Sequence, residues 1–429
     1  MLQTVVSIKN AMKIKFLGGA REVGRSGITV KGGRTNVLID YGVMMGREPG
    51  FPMHIPTNEV DGIVLTHAHL DHSGAVPLFH VTGNTPVYGT QPTFDLTNLL
   101  IKDFIHLSGY FLPFESLELQ TMMKHCVDIG YRNPTKLRGM KIELLQSGHI
   151  PGGAQAIIER RGKRILYTSD LNAVDTRLLS GADQAYEGID VLVMESTYAK
   201  EDHQDRASVE EQFIEKVNEV VEGGGTVLVP AFSVGRSQEI LCVLAAHHFK
   251  HPVHVDGMAK NANAILMNHL PYLRDGSLFR DAIHMANQIG GWRDRRRATK
   301  KPGVIVSPAG MLKGGNAVFY MNTIAKKEKN AVLLVSFQVP GTPGRRLMET
   351  KKFIIGGKTR TVKADIDHFD FTSHSGKTNL IETVKKVKNN AKVFLMHGAE
   401  ENCEHLAEVV RDDLGLEAIA PKTGEIYTV

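Results

Sequence analysis

The chain has 429 residues, 42% of them hydrophobic and 23% charged, with a formal net charge of +5 and a pI near 8.9. That length exceeds one ordinary core and implies two domains, and the mild basicity permits a polyanionic partner without requiring one. Three scattered cysteines (Cys126, Cys242, Cys403) exclude a disulfide framework or a cysteine-built zinc site, and no apolar run reaches the roughly 20 residues that span a bilayer.

The opening segment, residues 1 to 10, lacks a basic region followed by a sustained apolar stretch, so it is a poor signal peptide and a reducing cytoplasm is expected. Short β-branched runs then follow one another: 13–17, 28–30, 36–40 and 63–66, separated by turns at Gly18-Gly19 and Gly32-Gly33. The stretch from Pro92 to Leu137 is more helical. Strands resume at 142–145, 156–159, 164–168 and 190–194. From residue 206 the style changes, and helical spacing (Val209, Phe213, Val217, Val220) alternates with strands at 226–230, 304–306 and 332–335. Such alternation indicates a parallel α/β sheet, so residues 206–352 are expected to form a second domain inserted between 1–205 and 353–429. In the last segment short strands return, then a helix with Leu380, Ile381, Val384 and Val387 on one face, then a strand at 392–396.

The densest chemistry is His67-Ala-His-Leu-Asp-His72, which packs His67, His69, Asp71 and His72 into one strand-to-helix turn. Four such side chains cannot reach one ion without strain but can be shared between two. Imidazole and carboxylate without cysteine suit zinc better than magnesium or calcium. The bland alternative is a surface loop in a chain with 19 histidines. Against it, Asp40, Asp170 and Glu195 each end a strand, His397 follows one, and His149 lies in a glycine-rich loop. Acids and histidines at strand ends collect on one rim of a sheet, where α/β proteins place ligands.

The order Asp40, His67-x-His69-x-Asp71-His72, His149, Asp170 resembles the metallo-β-lactamase fold. The later blocks Pro230-Ala-Phe-Ser-Val-Gly-Arg-Ser-Gln-Glu239, Ser307-Pro-Ala-Gly-Met311, Gln338-Val-Pro-Gly-Thr-Pro-Gly-Arg345, Thr372-Ser-His-Ser-Gly376 and Leu395-Met-His-Gly398 are similar to its β-CASP nuclease branch. The likeness runs from about Lys13 onward. It is strongest to archaeal homologues of the cleavage and polyadenylation specificity factor endonuclease subunit, with RNase J next. The fold it implies is an αββα metallo-β-lactamase sandwich carrying an inserted α/β β-CASP domain.

The resemblance also implies roles. His67, His69 and His149 would hold one zinc, Asp71, His72 and His397 the other, with Asp170 bridging and Asp40 orienting the histidine turn. His374, held by Glu195, would protonate the leaving oxygen. Ser233 and Arg236, at the start of a helix, and Arg345 with Arg346 are candidate phosphate contacts. The run Trp292-Arg-Asp-Arg-Arg-Arg297 combines an aromatic with positive charge, as single-strand binding requires, although most charge runs are solvated surface.

The chain departs from the family pattern near Gly27, where relatives often carry cysteine, and after His374, where Ser375-Gly376 stands in place of the common Ala-Asp. Neither removes a ligand. The implied activity is hydrolysis of single-stranded RNA by two zinc ions, as an endonuclease, a 5′→3′ exonuclease or both. Histidine at 397 marks the RNA branch rather than the DNA branch. A homodimer and membership of an RNA-processing complex are further implications, without a KH module or a long C-terminal dimer arm. Two other functions are weighed: a non-catalytic scaffold subunit, and a small-molecule hydrolase of the lactamase or thioesterase kind.

Overall fold

Side-chain alternation assigns each strand residue to a layer. In Met12–Gly18, Ile14 and Phe16 point one way and Leu17 the other; in Thr35–Ile39, Val37 and Ile39 oppose Leu38. In Lys163–Tyr167, Ile165 and Tyr167 oppose Leu166, and in Val191–Glu195, Val191 and Val193 oppose Leu192 and Met194. One set from every strand merges into a single core between two sheets. The other sets face helices.

The computed structural model describes residues 11–46 and 48–429. The opening segment read as a poor signal peptide, residues 1–10, lies outside the described residues. One seven-stranded sheet runs, edge to edge, Ile426–Thr428, Met12–Gly18, Gly27–Gly32, Thr35–Ile39, Gly62–Val64, Val87–Gly89 and Cys126–Asp128. The other runs Ala418–Ile419, Lys392–Met396, Val191–Glu195, Lys163–Tyr167, Ala154–Arg160, Met140–Gln146 and Thr135–Leu137. Helices Gln91–Ser108 and Ser116–Lys124 cover the first through Phe94, Phe104, Leu119 and Met122. Helices Lys377–Val384 and Glu400–Leu414 cover the second through Leu380, Val384, Leu406 and Val410. The result is the expected four-layer αββα sandwich.

The chain divides into two compact units. The first is this sandwich: it runs to Asp175, resumes over Gly181–Asp202, and closes with Ser373–Val429. The second comprises Thr176–Ser180 and His203–Thr372. Its six-stranded sheet is parallel throughout, in the order Ala286–Gln288, Val253–Val255, Gly303–Ser307, Thr226–Pro230, Ala331–Leu334, Asp365–His368.

The sequence expectation ended this unit at 352, but residues 353–372 belong to it. The hairpin Lys352–Ile355 with Lys358–Thr361 buries Phe353 and Ile355 in the unit's core, and Asp365–His368 pairs with Ala331–Leu334. The strands Val253–Val255 and Ala286–Gln288 were also not foreseen, because three residues carry no readable period. The short excursion Thr176–Ser180 is held by buried Glu239, whose carboxylate accepts the backbone N–H of Arg177 (3.1 Å) and Leu178 (2.8 Å).

Candidate metal centre

Parallel pairing brings strand ends into line. Thr35–Ile39 lies beside Gly62–Val64, placing Asp40 near the chain that leads into His67. Lys163–Tyr167, Val191–Glu195 and Lys392–Met396 are mutually parallel, with Glu195 level with Met396, so Asp170, Glu195 and His397 emerge at one rim. After His67 and His69, Asp71 and His72 sit on the short helix Leu70–Ser73. Asp40, Ser169 and His397 each adopt positive φ (+55°, +53° and +48°), turning sharply at the strand ends to aim side chains inward.

The side chains form two sets that share one carboxylate. Oδ2 of Asp170 lies 3.6 Å from Nε2 of His67 and 3.5 Å from Nε2 of His149, and that His149 nitrogen lies 3.1 Å from Nδ1 of His69. Oδ1 of the same Asp170 lies 3.3 Å from Nε2 of His72 and 3.2 Å from Nδ1 of His397. Asp71 completes this second set, with Oδ2 3.4 Å from Nε2 of His397 and 3.9 Å from Nε2 of His72. Donor atoms of His67, His69, His149 and Asp170 lie within 4.8 Å of one another, as do those of Asp71, His72, Asp170 and His397.

A surrounding hydrogen-bond frame fixes which nitrogen each ring presents. Fully buried Asp40 accepts from the Thr66 N–H (2.8 Å) and hydroxyl (2.7 Å) and from Nδ1–H of His72 (2.8 Å), leaving Nε2 of His72 to face Asp170. Nδ1–H of His149 donates to the Ser373 carbonyl (2.8 Å). The Thr66 and Ser169 hydroxyls, 2.7 Å apart, each lie 3.3 Å from Nδ1 of His67. Thr197 donates to the His397 carbonyl (3.1 Å).

Next to these sets, Nδ1 of His374 lies 3.0 Å from both carboxylate oxygens of Glu195, which also accepts the Leu171 N–H (2.6 Å). Burial opposes a charge on His374, but the Glu195 carboxylate overrides it and raises the imidazole to about 9.

Charge in the two sets is unequal. Burial holds His67 and His149 well below the usual histidine range and lowers His69, so this set offers neutral imidazole lone pairs. Burial also opposes protonation of His72 and His397, yet Asp170 with Asp40 raises the first well above its usual range, and Asp170 with Asp71 raises the second. The negative potential that does this is what a divalent cation would neutralise in the protons' place. Nε2 of His67 and Oδ1 of Asp170 are buried and have no hydrogen-bond partner among the described residues. Orphaned donor atoms aimed into a nitrogen and oxygen cluster fit zinc chemistry.

Comparison with known proteins decides the family. A metallo-β-lactamase superfamily domain matches residues 30–197, a Beta-Casp domain residues 237–347, and a Zn-dependent metallo-hydrolase RNA specificity domain residues 359–421. The chain is 43% identical to RNase aCSPSF2 of Saccharolobus solfataricus, over 96% of this chain and 84% of that protein. The chain belongs to the β-CASP family of metallo-β-lactamase-fold ribonucleases. It is also 34% identical to the transcription termination factor FttA of Methanocaldococcus jannaschii, covering 93% of this chain and 69% of that one. The RNase J-like protein of the same organism is 30% identical, covering 97% and 99%. A crystal structure of a protein of unknown function from Enterococcus faecalis shares the fold, with a TM-score of 0.63 at 14% identity over 98% of this chain and 100% of that one.

Within the β-CASP unit, the residues expected to touch phosphate have varied surroundings. Ser233 is half-buried, whereas Arg236 is buried and donates to the Val335 carbonyl (3.2 Å). Arg345 is more exposed and pairs with Glu349 at 2.6 Å. Several groups in the frame escaped the sequence reading: Thr66, Ser169, Thr197 and the Ser373 carbonyl. Their signal is position, since each hydroxyl or carbonyl stands within a residue or two of a ligand or its partner. Ser375, noted only as a departure from the family pattern, donates its N–H to the Leu171 carbonyl (2.7 Å) and accepts the Ala173 N–H at Oγ (3.0 Å). That ties the His374 loop to the chain following Asp170. Among the described residues, no helix is long and apolar enough to cross a membrane.

Proposed function

We propose that this β-CASP protein hydrolyses phosphodiester bonds of single-stranded RNA with two zinc ions, leaving 3′-hydroxyl and 5′-phosphate ends. One observation carries the reading: Asp170 presents a different carboxylate oxygen to each of two histidine sets. His67, His69 and His149 would hold one ion, Asp71, His72 and His397 the other. When bound, such ions supply a water acidic enough to act as nucleophile at neutral pH and positive charge for the scissile phosphate.

The chain's own groups do the rest. Asp40 locks His72 in the Nδ1–H tautomer, and the Ser373 carbonyl does the same for His149. His374, anchored at Nδ1 by Glu195 and cationic at neutral pH, donates a proton to the departing 3′-oxygen. RNA is favoured over DNA because His397 falls within the matched RNA specificity domain. Relatives named as RNases and as transcription termination factors support a role in RNA processing, 3′-end formation or decay. A scaffold role is disfavoured by the filled ligand sets, and small-molecule hydrolysis by the matched Beta-Casp domain.

The test is purified protein with single-stranded RNA labelled at either end, carrying a 5′-mono- or triphosphate, with zinc or chelator. Zinc-dependent cleavage lost in His67→Ala is the expected result. Internal products indifferent to the 5′ end mark endonuclease action, and monophosphate-dependent ladders mark 5′→3′ trimming. RNA left intact with zinc, or cut equally by His67→Ala, overturns the reading.

A further inference from the structure

The basic run at Trp292 has no part in the centre described above. Trp292 is the only tryptophan in the chain and is 62% exposed. An exposed indole would ordinarily sample several rotamers, but here two contacts hold it. Phe319 meets it edge-on with ring centroids 5.0 Å apart and an interplanar angle of 80°, and the Arg295 guanidinium lies 5.2 Å from its ring. Arg295 is itself pinned by buried Asp256, which accepts from its Nε (2.7 Å) and from the Tyr320 hydroxyl (2.8 Å).

Arg295 is thereby used structurally, while Arg293, Arg296 and Arg297 on the same helix, Trp292–Ala298, remain exposed. The one acid in the run, Asp294, accepts the Gly290 N–H (3.1 Å) and lies 3.8 Å from Arg297. Val318, the neighbour of Phe319, lines a cavity of about 320 Å³ that Lys313, Arg346 and Lys352 also line, with no acidic residue among its described lining.

We propose that this face of the second unit, centred on Trp292, is an auxiliary binding surface for single-stranded RNA. A base stacks on the fixed indole, and flanking phosphates are neutralised by Arg293, Arg296 and Arg297. An aromatic plane with clustered arginines suits a single strand, whose bases expose π-faces between regularly spaced charges. Pre-fixing the ring lowers the ordering cost of binding. The ribonuclease reading enters only in naming RNA as the nucleic acid.

The lone tryptophan makes the test direct. Full-length protein, as Asp170→Asn and as wild type in chelator so that RNA stays intact, is titrated with an oligouridylate RNA of roughly fifteen nucleotides. Indole emission should be quenched to saturation, and polarisation of labelled RNA should show about tenfold weaker binding for Trp292→Ala but little loss for Trp292→Phe. The triple variant Arg293→Ala/Arg296→Ala/Arg297→Ala should flatten the log–log salt dependence by about 2, roughly 0.7 for each phosphate that is no longer neutralised.

Unchanged emission, a salt slope unaffected by the triple variant, or equal quenching by polyglutamate would each overturn the proposal, the last pointing to an acidic protein partner. If zinc-loaded wild type fails to cut RNA while quenching persists, the catalytic reading fails and this one stands.

Discussion

Asp170 and Asp40 are both buried aspartates at strand ends, but they act on different atoms. Asp170 faces imidazole nitrogens with both oxygens, whereas Asp40 is saturated by Thr66 and by Nδ1 of His72. Asp170→Asn is therefore expected to reduce RNA cleavage by about a thousandfold or more and to lower bound zinc, read by kinetics beside elemental analysis. Asp40→Asn keeps every ligand and is expected to cost about 10- to 100-fold in metal affinity, the range for a group that only orients a ligand. His374→Ala should leave zinc content unchanged while kcat falls about a hundredfold or more, since in the proposed division of roles His374 donates a proton and holds no ion. Equal zinc content and equal kcat in all three variants would show that these residues do not divide the work in this way.

Elements explain what the sequence could and could not show. The strands were legible as short β-branched runs, and acids and histidines at their ends pointed to one rim, but the αββα sandwich itself came from family likeness. The grouping of ligands came from family likeness; spacing alone indicated two ions but not which side chain serves which. The end of the inserted unit was not legible, since Asp365–His368 reads as a short strand of either unit until its parallel partner Ala331–Leu334 is known. Arg236 and Glu239 show a related difficulty: a motif residue can be structural. Glu239 holds Thr176–Ser180 and pairs with Arg206 at 2.5 Å.

Burial opposes ionisation of Glu239, but Arg206 and two backbone N–H groups hold its carboxyl below the usual 4.5. A folded value below the unfolded one gives stability that is present above about pH 4.5 and lost as pH falls through the folded value. Glu239→Gln should destabilise the second unit by about 2 kcal/mol at pH 7, since partly buried Arg206 loses its nearest carboxylate and keeps Glu210 at 3.7 Å. The deficit against wild type should shrink as pH drops below about 4.5, as measured by denaturant unfolding. A deficit independent of pH would assign the loss to packing instead.

For the whole molecule, the proposed metal binding would be linked to folding. The proposed ligand atoms come from chain positions 67 to 397, all within the first unit, so they come together only when that unit is folded. Zinc at about a thousand times its dissociation constant should stabilise that unit by about 4 kcal/mol. In calorimetry, chelator should lower the transition that zinc shifts, while Glu239→Gln moves the second unit's transition.

The central claim is that one carboxylate joins two ions. The most direct measurement is the zinc-to-protein ratio of the purified, active chain by elemental mass spectrometry, with Asp170→Asn alongside. Two zinc ions per active chain, falling below two in the variant, is the expected result. One zinc per fully active chain, or an unchanged ratio in the variant, would contradict it.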